Sequence, residues 1–109
     1  MRTDATVFLV DDDTAVRQSI CWMLRKVGLK VEAYESARAM LERYDASRQG
    51  CLVLDLRLPG MSGLELRQKL LERGCKHPFL IISGHGEVPD AVEAMQQGAI
   101  DFIEKPYRR

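Results

Sequence analysis

The chain has 109 residues, enough for one hydrophobic core and too few for two. Its 16 basic and 16 acidic side chains cancel, so no net field draws it to DNA, RNA or anionic lipid. At 46% hydrophobic and 29% charged it has a globular balance, and no apolar run approaches a membrane span. The early apolar run from Val7 to Val10 is too short for a signal peptide, so the expected location is cytoplasmic. Cys21, Cys51 and Cys75 are odd in number and widely spaced, which argues against a disulfide framework or a zinc site. Cys21 and Cys51 sit inside apolar stretches and read as small buried residues.

Short β-branched runs alternate with segments of helical period, the pattern of an α/β parallel sheet. Val7-Phe8-Leu9-Val10 is apolar without alternation, as a strand covered on both faces should be. Asp13 and Thr14 open a helix with Val16, Ile20, Leu24 and Val27 on one stripe, and Gly28 stops it. Trp22 lies near that stripe and is expected to be partly buried. Lys30 to Tyr34 is a more polar strand, expected near an edge. Ser36 caps a short helix carrying Met40, Leu41 and Tyr44.

The third strand, Cys51 to Leu54, runs into Asp55 and a loop through Met61. Ser62 and Glu65 fit a capping box that starts a helix through Leu66, Leu70 and Leu71 to about Gly74. His77 reads as a solvated loop residue before Pro78. Phe79 to Ile82 is the fourth strand, followed by Ser83-Gly84-His85-Gly86. Pro89 suits the first turn of a helix with Val92 and Met95, which stops at Gly98. Ile100 to Glu104 is the fifth strand, and Lys105-Pro106-Tyr107-Arg108-Arg109 follows.

In an open parallel sheet, ligands bind beyond the carboxyl ends of the strands, where the strand order reverses. The first strand ends in Asp11-Asp12-Asp13, the third in Asp55, the fourth in Ser83 and the fifth in Lys105. Carboxylates, a hydroxyl and an ammonium are thus delivered to one edge. Crowded carboxylates repel one another, and one lysine cannot neutralise three of them. A hard divalent cation with oxygen ligands solves this, and Mg2+ is the usual choice. An aspartate beside such a cation and a lysine is a competent nucleophile toward phosphorus, and a hydroxyl can hydrogen-bond one oxygen of the transferring group.

Four stretches together resemble the receiver domains of two-component response regulators across the whole chain. They are Val10 to Asp13, Leu54 to Gly63, Ser83 to Gly86, and Asp101 to Pro106. The run from Ser83 to Pro106 is especially similar to the FixJ-type transcriptional regulators. The resemblance implies a flavodoxin-like (CheY-like) doubly wound sheet of strand order 2-1-3-4-5. By position it implies Asp55 as phosphoacceptor, and Asp11 and Asp12 as the acidic pair. Mg2+ would be held by Asp11, Asp12, Asp55 and the backbone carbonyl of Arg57. Ser83 matches the switch hydroxyl, Lys105 the phosphate-contacting lysine and Phe102 the aromatic that changes rotamer. The Lys105-Pro106 peptide bond is expected to be cis.

The implied function is a signalling domain that takes a phosphoryl group from a sensor histidine kinase and catalyses only its own phosphorylation and dephosphorylation. Its output domain, of DNA-binding kind, would be absent from this chain. Residues 1–109 would form a receiver domain trimmed before a fifth helix, leaving part of one sheet face bare. A phosphorylation-dependent homodimer fits the same picture. Arg108 and Arg109 are too few for a nucleic-acid patch, and His85, between glycines, is not expected to carry phosphate.

Two other readings compete. Asp11-x-Asp13 after the first strand mimics the nucleophile and acid of haloacid-dehalogenase-type phosphohydrolases, although the length leaves no room for that family's later motifs. A phosphorylation-independent interaction module would have no need of the acidic set.

Overall fold

The computed structural model describes residues 5–84 and 88–105. The elements run β1 (Thr6–Val10), α1 (Thr14–Lys26), β2 (Lys30–Tyr34), α2 (Ala37–Arg43) and β3 (Gly50–Asp55). They continue with β4 (Arg57–Leu58), β5 (Met61–Ser62), α3 (Gly63–Glu72), β6 (Phe79–Ser83), α4 (Val88–Gln96) and β7 (Phe102–Glu104). The main sheet is parallel throughout, in the order β2-β1-β3-β6-β7. Setting the short β4–β5 pair aside, this is the expected 2-1-3-4-5 order of the CheY-like flavodoxin fold.

Local signals place the helices. Asp13 Oδ1 accepts the Val16 N–H at 3.1 Å, and Ser36 Oγ accepts the Ala39 N–H at 3.0 Å. Ser62 and Glu65 form the full capping box, with bonds of 3.0 and 2.8 Å. Each bond satisfies an amide that the first helical turn leaves without an internal partner.

β1 lies inside the sheet, with Thr6–Val10 aligned to Lys30–Tyr34 on one side and to Gly50–Leu54 on the other. Its residues therefore feed two cores by simple alternation. Phe8 and Val10 join Leu52, Leu54, Phe79 and Ile81 beneath Met40, Leu66, Leu70 and Ala94 of α2, α3 and α4. Val7 and Leu9 join Val31, Val53 and Ile82 beneath Ile20, Cys21 and Leu24 of α1. On that second face Cys51 and Leu80 are only half-buried. All three thiols are free.

Several expectations change. The segment after Asp55, read as a loop, contains an antiparallel pair with Arg57 opposite Ser62 and Leu58 opposite Met61. Pro59 and Gly60 turn it, and Gly60 sits at φ +84°, a conformation glycine adopts without the steric cost of a Cβ. The fifth main strand begins at Phe102 rather than Ile100.

Trp22 is 65% exposed, with the Lys26 ammonium 4.6 Å from its ring centroid. It follows the buried Cys21, and one residue turns about 100° around a helix, which carries it off the face toward the sheet. Val27 is exposed because it lies past the last helical residue, at the C-cap.

His77 is 6% exposed and not solvated. Its Nδ1 lies 2.7 Å from the Tyr44 hydroxyl, its Nε2 meets the Arg48 carbonyl, and its ring packs on Phe8 and Tyr44. It ties the α2–β3 connection to the α3–β6 connection. No described helix is long and apolar enough to cross a membrane. His85, the Lys105-Pro106 peptide bond, Arg108 and Arg109 lie outside the described residues.

Candidate functional site

The strand ends converge as the sequence implies. Asp11 follows β1 and is fully buried, Asp55 ends β3 and is nearly so, and Asp12 is exposed at the rim. Carboxylate oxygens of Asp11, Asp12 and Asp55 lie within 4.8 Å of one another. Lys105, just past β7, places Nζ 2.9 Å from Asp11 Oδ2 and 3.0 Å from Asp55 Oδ2. Ser83, buried at the end of β6, lines the same cavity of about 320 Å3 with Asp12, Asp55, Arg57 and Lys105.

Backbone geometry fixes the two buried carboxylates. Asp11 Oδ1 accepts the Asp13 N–H at 2.9 Å, and Asp55 Oδ1 accepts the Arg57 N–H at 3.2 Å. Behind Asp55, Gly63 comes so close that a Cβ there would lie 2.3 Å from the Asp55 carbonyl oxygen. Its amide donates to the Leu56 carbonyl at 2.8 Å and closes the loop. Only glycine allows this approach.

The electrostatics are those of a crowded acidic site. Burial pushes the Asp55 carboxyl above its ordinary range; the Asp11 charge adds to this, and the Lys105 hydrogen bond and Arg57 N–H oppose it. Burial works against the Lys105 ammonium, yet its bonds to Asp11 and Asp55 prevail and hold its pKa above the usual lysine value. Three carboxylates against one ammonium form an all-oxygen donor set with excess negative charge. That set fits a hard divalent cation.

Residues 7–109 match the family described as the response regulator receiver domain. The chain belongs to this family. It is 50% identical to the transcriptional regulatory protein FixJ of Rhizobium meliloti over 105 residues, 96% of this chain and 52% of that protein. It is 45% identical to the response regulator protein TmoT of Ectopseudomonas mendocina over 105 residues, 96% of this chain and 48% of that protein. The crystal structure of FixJ-N superposes with a TM-score of 0.87 at 48% identity, covering 99% of this chain and 86% of that one. The chain thus spans about half the length of the curated relatives it matches. It is a signalling domain of the kind found in transcriptional response regulators.

Within this receiver domain, Asp11, Asp12, Asp55, Ser83 and Lys105 are gathered at one sheet edge as expected. Phe102 is half-buried against the core below them. It pairs in register with Ile81, and alternation along β6 puts Ser83 on the same face as Ile81. The phosphohydrolase reading needs Asp13 as a free acid, but Asp13 Oδ1 is engaged as the N-cap of α1.

Sequence reasoning missed Arg17, whose Nη1 donates to the Asp11 carbonyl at 2.8 Å. A cation this near a helix start runs against the helix dipole, and that misfit was the available signal. It also missed the Arg57 side chain, which reaches toward Asp90.

Proposed function

We propose that Asp55 accepts a phosphoryl group and that the domain's function is the conformational change that follows. The observation that carries this reading is the Lys105 ammonium shared between Asp55 and the fully buried Asp11, at 3.0 and 2.9 Å. An Asp55 carboxylate oxygen would bond to phosphorus while the donor's bond to phosphorus breaks. With a sensor histidine kinase as donor, the leaving group is the kinase's histidine. Lys105 would offset charge on the transferring group, and Ser83 would donate a hydrogen bond to one of its oxygens.

Asp11, Asp12, Asp55 and the Arg57 carbonyl are the residues that would hold Mg2+, which supplies charge neutralisation between carboxylates and phosphoryl oxygens. The domain would catalyse only its own phosphorylation and dephosphorylation. A phosphoryl group brings about −2 charge and strong acceptor oxygens to this edge. Ser83 would shift toward it, Phe102 would turn into the space vacated, and the surface of α4 and β7 would change.

The same reading assigns an output domain of transcriptional kind outside residues 1–109, a cytoplasmic location, and a homodimer formed on phosphorylation. The second sheet face, where α1 leaves Cys51 and Leu80 half-buried, would take a fifth helix from outside the described residues.

The test is incubation with Mg2+ and acetyl phosphate. Intact mass should rise by one phosphoryl group in the wild type and not in Asp55→Asn, which keeps the fold. An unchanged phosphorylated peak in that variant would remove the reading.

A further inference from the structure

Arg57 lines two cavities. One is the Asp55 cavity, where it and Lys105 are the only cationic residues among the described lining residues. The other, of about 350 Å3, it lines with Glu65, Asp90 and Glu93, and there it is the sole described cation. Its Nη2 lies 3.9 Å from Asp90 Oδ2, in the first turn of α4. Its own amide meanwhile holds Asp55 Oδ1. One residue therefore touches the carboxylate through its backbone and the fourth helix through its side chain.

We propose that Arg57 has two alternative partners: Asp90 while Asp55 is bare, and the phosphoryl oxygens once Asp55 is phosphorylated. Phosphorylation thereby removes an ionic tether from the start of α4. This rests on Asp55 being the phosphoacceptor.

Charge and geometry favour the exchange. Lys105 already serves two carboxylates, so a group carrying about −2 charge would attract a further cationic side chain to the cavity even beside Mg2+. The nearby pair is weak enough to give up its arginine. It is at the long end of ion-pair distances, and its side chains are 65% and 30% exposed. A guanidinium also matches phosphoryl oxygens with two parallel hydrogen bonds, which a single carboxylate oxygen at 3.9 Å does not receive. The bland alternative is a surface pair in which Asp90 merely favours the positive end of α4. That alternative predicts no link between the pair and phosphorylation.

The experiment compares wild type, Arg57→Ala, Arg57→Lys and Asp90→Asn, each first shown by circular dichroism to be folded. Each is treated with Mg2+ and acetyl phosphate, acetate leaving as the Asp55 oxygen bonds to phosphorus. Uptake is followed by intact mass, and amide hydrogen exchange is followed over 88–96. In wild type, exchange at the start of α4 should rise on phosphorylation. In Asp90→Asn it should be raised beforehand, with uptake at least as fast as wild type. In Arg57→Ala it should also be raised beforehand, with uptake about fivefold slower for want of the second cationic side chain. Arg57→Lys should fall between. If wild type takes up phosphate on Asp55 and the bare variants exchange like bare wild type, the tether is wrong and the phosphoacceptor stands. If wild type takes up none, both fall.

Discussion

Lys105 and Asp55, fifty positions apart in sequence, meet at 3.0 Å between Nζ and Oδ2. The same nitrogen is 2.9 Å from Asp11, so a single ammonium at the end of β7 is shared by carboxylates from β1 and β3. The site exists only because the sheet brings these three strand ends to one edge.

That sharing makes Lys105 a stabilising residue in the metal-free domain. Lys105→Met should destabilise the metal-free domain by on the order of 3 kcal/mol, since it leaves two buried carboxylates without their cation. Added Mg2+ should recover part of the loss. Urea denaturation with EDTA and with Mg2+ checks both, and a variant as stable as wild type in EDTA would contradict the shared-ammonium account.

Asp55 should weaken the metal-free fold as pH rises. Burial first, and then the Asp11 charge, hold its carboxyl above the ordinary range. A carboxyl raised by folding favours the fold most below its unfolded value of about 4, and loses that contribution as pH climbs through the raised folded value. Asp55→Asn should remove this dependence and be more stable than wild type at pH 7. Denaturation in EDTA at pH 5 and pH 7 decides it; identical pH slopes in both proteins would show that the carboxyl is not raised.

The Mg2+ site should depend on Asp11 and Asp12 together. The double variant Asp11→Asn, Asp12→Asn removes two of the three converging charges and should weaken Mg2+ binding by at least about tenfold. Calorimetric titration reads this directly. An undiminished affinity would place the cation elsewhere.

Gly63→Ala tests the wall behind Asp55. The new Cβ would lie 2.3 Å from the Asp55 carbonyl oxygen, so backbone must move. Overpacking of this kind should cost about 1–3 kcal/mol. The displaced carboxylate should slow phosphate uptake by about tenfold or more. Thermal unfolding and intact-mass kinetics follow the two effects, and a wild-type melting temperature would mean the loop yields freely.

What was legible in the chain was what neighbouring residues decide among themselves. Unalternating apolar runs gave β1, β3 and β6, while Asp13, Ser36 and Ser62 marked helix starts because a cap bonds an amide only two or three residues on. Polar residues just past those runs then had to share an edge, since the strands of a parallel sheet all end on the same side. Tertiary structure decided the rest. His77 looks like a loop residue beside Pro78, and it is buried because Tyr44 and Arg48, 33 and 29 positions away, supply its hydrogen-bond partners. Trp22 looks like partial core, and it is exposed because α1 turns Ile20, Cys21 and Leu24 to the sheet instead. Arg57 offered only a backbone carbonyl to the sequence reading, and its side chain meets an acidic neighbour only because α4 sets Asp90 within 3.9 Å. Burial and pairing of this sort depend on which distant elements pack together, and no short window of sequence contains that information.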